Sequence, residues 1–329
     1  MIWYKDNNSD IIISTRIRLA RNLKDTPFPA SLTDKAAITQ KIKDSILASN
    51  STLSKSFEFV EIDSLSPEKI TALQEEHLIS PQMEKGKGQS VLISEDKTMS
   101  IMLMEEDHIR LQIIQSGDKL HEAYKTASRV DDIIEESVEY AFDNQFGYLT
   151  ACPTNAGTGM RASVMLHLPA LTQTDNIQRI IAQASGLGIA VRGMYGEGTK
   201  AYGNMYQISN QITMGLGEED TIKKLGDIVN QIVEAEKKAR AMIMDKNPDY
   251  IRDKVMRSYG IALYAYTMDT SEARNILSDI ILGQNMEIIP KGKVSPVEML
   301  VNISPSIIGG ANPAERDKAR AKYLRENLG

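Results

Sequence analysis

Five arginines draw attention by the company they keep. Arg16 and Arg18 fall on one face of the alternating run STRIRLARN, Arg110 follows the acidic EEDH, Arg161 closes CPTNAGTGMR, and Arg192 opens RGMYGEG. Each lies in or beside an apolar, strand-like stretch. One such residue alone reads as a surface cation on a buried stem. Five together point to a polyanion: guanidinium forks match phosphate oxygens two at a time and stay charged at any working pH, so a nucleoside triphosphate is the natural guest. Carboxylates face them in two places, Glu105, Glu106 and Asp107 in one cluster and Glu197 between two glycines. Three adjacent acids at a strand end are usually a solvated turn, whereas a glutamate in an apolar region wants a cationic partner. Cys152, the only cysteine, leads into PTNAGTG, where backbone N–H groups and hydroxyls could stabilise a thiolate; a small buried hydrophobe is its other reading.

Competing templates are absent. The four histidines show no His-x3-His spacing, no dedicated zinc set or other protein-built metal site is expected, and neither a G-x-x-x-x-G-K-[ST] loop nor a G-x-S-x-G elbow occurs. The elements that must position the arginines are legible from periodicity. Ile11 to Ile13 open a strand; Thr33 to Ala48 read as a helix with Thr33 as N-cap; a strand from Phe57 to Ile62 and a helix through EKITALQEEH follow. SVLIS, MSIMLM and IRLQII read as strands, and Lys119 to Asn144 as one helix. From Thr150 to Gly217 the chain holds six charged residues (Arg161, Asp175, Arg179, Arg192, Glu197, Lys200) but 10 of its 21 glycines, the texture of buried strands and close-approach loops. Beyond Asp220 it turns helical and charged, with a break at KNPDY, a capping box from Ser295 to Glu298, and Asn312 as N-cap before Pro313. The expected fold is α+β, an antiparallel sheet flanked by helices over residues 1–220, followed by an all-α domain over 221–329.

The whole chain has 329 residues, 38 Lys+Arg against 44 Asp+Glu and a net charge of −6. That balance argues against a surface devoted to nucleic acid while leaving room for a local anion site. A single cysteine suits a reducing compartment, and neither a signal-like start nor a membrane-length apolar run is visible, so a cytoplasmic protein is expected.

STRIRLARN, EEDHIRLQ, CPTNAGTGMRASVMLHLP and VRGMYGEGTKAYGNMYQISNQ resemble, in order, the signature segments of the phosphagen (guanidino) kinase family. Three features are similar to its bacterial protein-arginine kinase branch: a start just before STRIR without a preceding helical domain, the YGEG form of the glutamate loop, and a helical C-terminal extension. The resemblance implies that Arg16, Arg18, Arg110, Arg161 and Arg192 hold the phosphates of ATP, with His77 beside the nucleotide. Glu106 is implied as guanidinium-orienting base, Glu197 as the opposing clamp and Cys152 as a contact of the guanidino group. Glu105 and Asp107 would support the loop and a hydrated Mg2+ carried mainly by phosphates and water. The RDKARA segment is similar to a phosphoarginine-binding allosteric motif, with Asp317 for the guanidinium and Arg316 or Arg320 for the phosphate; a solvated helix face is its other reading. The substrates implied are proteins with exposed arginine. The partners implied are a second copy in a homodimer, a zinc-binding activator protein, a Clp-type unfoldase and protease, and a heat-shock repressor, in stress response and protein degradation. A kinase of free arginine, or a catalytically weak phosphoarginine-binding adaptor, is the alternative. Two positions depart from the family pattern, Met104 where an Asn precedes Glu-Glu-Asp, and Tyr195 where an arginine is usual.

Overall fold

The structure, a computed structural model, describes residues 2–5, 7, 9–47, 57–84, 87–194 and 201–328. In chain order the main elements are β1 (Ile12–Arg21), α1 (Lys35–Leu47), β2 (Phe57–Glu61), α2 (Pro67–Glu75), β3 (Ser90–Ser94), β4 (Met99–Leu103), β5 (Ile109–Ser116) and α3 (Leu120–Glu135). A short hairpin β6 (Phe142–Asp143) and β7 (Gly147–Tyr148) precedes β8 (Met160–His167), α4 (Pro169–Gln173), α5 (Ile177–Gly186), β9 (Ile189–Gly193) and β10 (Met205–Asn210). Helices complete the chain: α6 (Glu218–Lys246), α7 (Pro248–Tyr264), α8 (Thr270–Asn285), α9 (Pro296–Asn302), α10 (Pro305–Ile308) and α11 (Pro313–Leu328).

The fold is α+β, and its centre is an eight-stranded antiparallel sheet in the order β2-β3-β4-β5-β1-β8-β10-β9. Strand alternation gives this sheet two unlike faces. Ile17, Leu19, Leu111, Ile113, Ala162, Val164 and Ile208 point to one side, where they form a continuous core with α3 and α6. The other side carries the polar residues, and the register decides which of them meet. Arg18 stands opposite Arg161 of β8 and Gln112 of β5, Arg16 opposite Ser163, and Gln207 of β10 opposite Arg192 of β9.

Three expectations shift. Helix α1 is capped by Asp34, not Thr33: its Oδ1 accepts from the N–H of Ala36 and Ala37 at 3.0 and 3.3 Å. Helix α3 stops at Glu135 instead of running to Asn144, because residues 139–141 are drawn into pairing with the end of β1, Lys24 N–H donating to Glu139 O and Ala141 N–H to Asn22 O. The third concerns the placement of α6, whose Ile222, Leu225, Val229 and Ile232 belong to the sheet's core. A second core, built from α7, α8, α9 and α11 with Ile13, Met165 and Met205 of the sheet, begins only after Asn247, the residue whose side chain caps α7 ahead of Pro248. The change of core therefore falls near residue 247 and not at 220. Beyond it, the expected Ser295 cap accepts from Glu298 N–H at 3.1 Å, and Asn312 from Glu315 N–H at 3.0 Å.

Candidate active site

Strand parity assembles the site. Arg16, Arg18, Arg110, Arg161 and Arg192 all emerge on the polar face of the sheet, and together with His77 they line one cavity of about 560 Å³. Arg21, three residues after Arg18, has the opposite parity and goes elsewhere. Its Nε and Nη2 bond to Asp131 of α3 at 2.9 and 2.7 Å, and its guanidinium lies 3.6 Å from the centre of the Tyr148 ring.

Two of the arginines meet neutral acceptors. Arg16 donates to Gln207 Oε1 at 2.9 Å and Arg161 to Ser209 Oγ at 3.2 Å, while the Nε atoms of Arg18 and Arg161 are buried without a hydrogen-bond partner among the described residues. Burial and mutual repulsion act together on them. Arg16 is pushed down to about 10 by burial and then by Arg110 and Arg161. Burial and three neighbouring arginines push Arg18 well below the ordinary guanidinium value. Burial, Arg192 and Arg110 also lower Arg161. His77, in a left-handed backbone conformation (φ 62°), is lowered to about 3 by burial, Arg16 and Arg274, so its imidazole is neutral at physiological pH. A cavity charged this way is chemically suited to a polyanion.

The acidic loop is fixed at the mouth of β5. Arg110 Nη1 contacts both carboxylate oxygens of Glu105, at 2.6 and 2.5 Å, and Ser80 Oγ donates to the same group. Asp107 Oδ1 accepts from Asn22 Nδ2 at 2.6 Å and from Ala151 N–H at 2.7 Å. The bond to Ala151 stitches the acidic loop to the cysteine loop, so Glu106 and Cys152 flank the same tether. Glu106, between these two committed acids, has no hydrogen-bond or ion-pair partner among the described residues. Burial first, then Asp107, raises its carboxyl above the usual glutamate range, against the pull of Arg110. Cys152 is half-buried with its Sγ 3.0 Å from Thr154 Oγ1. Glu197 and Tyr195 lie outside the described residues.

Met104 is sealed in the core with φ 61°, so the polar support absent at that position comes from elsewhere. Gln89 Nε2 donates to Met104 O at 3.1 Å, and Asn22, last residue of STRIRLARN, spans the loop: it accepts from His108 N–H at 2.9 Å and donates to Asp107 and to Leu149 O. Sequence reasoning passed over Asn22, although its place after the strand was visible. Asn22→Ala is expected to destabilise the protein by about 2–3 kcal/mol, because a buried carboxylate, a carbonyl and an N–H lose their partner together. Urea melts give the stability and steady-state assays the accompanying fall in kcat; an unaltered melt with full activity removes Asn22 from this role. Gln112, Gln207, Ser209 and Arg274 are further cavity or neighbouring residues that spacing could not announce.

The RDKARA cluster lies in the second body. Arg320 is buried, donating to Ile303 O, Met268 O and Asp317 Oδ1 at 3.0, 2.7 and 2.7 Å, which makes it a tie between helices. Arg316 is half-exposed, with Nη1 3.4 Å from Gly310 O. Asp317 stays partly accessible beside it.

Comparison with known proteins bears on this arrangement. Residues 37–239 match the family model described as ATP:guanido phosphotransferase, C-terminal catalytic domain, and residues 248–329 match that of the protein-arginine kinase McsB C-terminal domain. The gap between the two matches falls where the cores change. A protein-arginine kinase of Brevibacillus brevis is 43% identical over 99% of this chain and 94% of its own, and one of Caldanaerobacter subterraneus subsp. tengcongensis is 44% identical over 98% of each. Among solved structures, a lombricine kinase superposes with a TM-score of 0.63 at 25% identity, covering 76% of this chain and 71% of that one. A duplicated taurocyamine kinase from Schistosoma mansoni, bound to transition-state-analogue components, gives 0.61 at 25% identity over 78% of this chain and 39% of that one. Through both matched segments and these full-length relatives, the chain belongs to the ATP:guanido phosphotransferase family, among the protein-arginine kinases.

Proposed function

We propose that the protein transfers the γ-phosphoryl group of ATP to arginine side chains of proteins. The observation that carries this reading is the convergence of five guanidinium groups on one cavity whose rim is the loop of Glu105, Glu106 and Asp107, tied to the cysteine loop by the Asp107–Ala151 bond. Arg16, Arg18, Arg110, Arg161 and Arg192 hold the triphosphate, and neutral His77 lies beside the nucleotide. The substrate guanidinium enters from the acidic side. Its pKa is above about 12, so it attacks only as a proton leaves. Glu106 takes that proton as the N–P bond forms, the bond from γ-phosphorus to the bridging oxygen breaks, and its electron pair departs with ADP. Glu197 holds the guanidinium from the other side and Cys152 packs against it. Phosphoryl transfer depends chiefly on in-line positioning and charge stabilisation, which fixed arginines supply.

Magnesium fits as an ion carried by the phosphates and water: Glu105 is already taken by Arg110 and Ser80, and Asp107 by Asn22 and Ala151. When bound, it neutralises charge on the β- and γ-oxygens. The outer face of α7 and the turn after it expose Met256, Ile261, Tyr264 and Tyr266, which supports a homodimer built through the second body. Arg316 and Asp317 are accessible enough to take phosphoarginine there, with Arg320 as their scaffold. No helix among the described residues is long and apolar enough to cross a membrane. A cytoplasmic stress-response role, with a zinc-binding activator, a Clp-type protease and a heat-shock repressor as partners, completes the proposal.

The test is incubation with ATP and either an arginine-rich protein or free arginine, followed by mass spectrometry for acid-labile phosphate on arginine. Phosphate on the protein is the expected result. Phosphate on free arginine alone would move the assignment to a small-molecule guanidino kinase, and none on either would leave a phosphoarginine-binding adaptor.

A further inference from the structure

The cavity is not built by the sheet alone. Its lining includes Arg274 and Ser304, from the helical body that follows residue 247, together with Arg16, His77, Gln74 and Glu75. Arg274 sits one helical turn before Ser278 on α8, and that face of the helix is pinned to the sheet. Ser278 Oγ is 2.8 Å from His167 Nε2 and accepts from Asn204 Nδ2 at 2.8 Å, while Asn275 Oδ1 accepts from Gly203 N–H at 3.0 Å. Gly203 has φ +68°, and a Cβ there would stand 2.9 Å from Arg274 O, so the backbone of Arg274 is seated directly on this turn. A second seam closes the same edge: Ser306 N–H donates to Glu75 Oε2 at 3.0 Å, fastening α10 to α2. The guanidinium of Arg274 therefore arrives at the cavity from a rigid mount.

We propose that Arg274 is a phosphate-contacting residue of the nucleotide site, so that the C-terminal helical body completes a site whose other cations come from the sheet. Arg274 raises the count of guanidinium groups lining the cavity to six. Arg274 also acts electrostatically on His77, as Arg16 does. A triphosphate spanning from the acidic loop toward His77 needs cations along its whole length, and Arg274 supplies one from the helical body.

This inference rests on the nucleotide reading above, and its test separates the two. Trp3, the only tryptophan, lies 5.7 Å from the His77 ring, giving an optical reporter at the cavity to set beside calorimetry. Full-length wild type, Arg274→Gln and Arg274→Lys are titrated with ADP and with ATP. The expected result is a Kd about tenfold higher in Arg274→Gln, the scale of one lost charge-assisted contact, with partial recovery in Arg274→Lys. KM for ATP should rise in step while KM for the arginine substrate stays near wild type. If wild type binds and both variants bind with its affinity, Arg274 is only a strut of the interface. Arg274→Lys keeps a charge and a long stem, so it carries the test should the glutamine variant fail to fold: a lysine variant with unweakened binding and wild-type salt dependence overturns the assignment. Absence of nucleotide binding to the wild type overturns the kinase reading together with it.

Discussion

Replacing Glu106 by glutamine is expected to lower kcat by about 10³-fold, the range of a lost general base, while ADP still binds. The change keeps the side chain's size and its place between Glu105 and Asp107 but removes the one acid of the loop with no partner among the described residues. Glu105 and Asp107 cannot substitute, being bound to Arg110 and to Asn22 and Ala151. The pH dependence follows from the raised carboxyl of Glu106. Its base form is lost as pH falls through a value above the usual glutamate range, so the wild-type kcat profile should show an acid limb there that the glutamine variant lacks. The stability effect has the opposite sign. A carboxyl whose folded pKa lies above its unfolded one disfavours folding once ionised, and this penalty is relieved as pH falls through the folded pKa. At neutral pH Glu106→Gln should therefore melt no lower than wild type. Full turnover in the variant would falsify the base assignment, and a large drop in melting temperature would recast Glu106 as a structural residue of the loop.

What the sequence made legible was governed by parity and short-range spacing. Arg16 and Arg18 share a face because they are two residues apart in a strand, and Arg21 is excluded from it by the same rule, going instead to Asp131 and Tyr148. That EEDH stands at a strand end is likewise local information, as are the caps at Ser295 and Asn312. Contacts made across the chain were not legible. Gln112 and Gln207 join the arginines only through strand register, Asn22 meets Asp107 from 85 positions away, and Arg274 comes from another body altogether. The end of α3 was misread for a related reason: Val138 and Ala141 keep helical spacing, but the backbone at 139–141 finds its partners at Asn22 and Lys24. The boundary at 220 was drawn where charge rises, yet most charges of α6 are exposed while Ile222, Leu225, Val229 and Ile232 complete the sheet's core and Glu236 and Arg240 are buried as a bonded pair. Composition registers exposure, and a core is defined by what is buried.

Arg18→Met is expected to raise the melting temperature of the nucleotide-free protein and to lower kcat/KM by about 10³-fold or more, the scale set by a single phosphate-facing arginine in phosphoryl transfer. Both effects come from the same geometry. Arg18 stands directly opposite Arg161 in the β1–β8 register, with Arg16 and Arg110 also close enough to lower it, and its Nε is buried without an acceptor among the described residues. A cation whose folded pKa lies below its unfolded one destabilises the fold while charged, a penalty lifted only as pH rises through the folded value. At neutral pH that relief must come from an anion or from removing the charge. Methionine keeps the unbranched stem, so the packing loss is small and each kcal/mol of repulsion removed should add about 2–4 °C. ATP is expected to stabilise the wild type by countering this charge, and the rise in melting temperature it produces should be smaller in the variant. Differential scanning fluorimetry with and without ATP, beside steady-state kinetics, reads all three quantities. A variant that melts lower and turns over normally would mean that Arg18 holds the sheet together; one that melts higher and is inactive shows that β1 carries repulsion for the sake of its ligand.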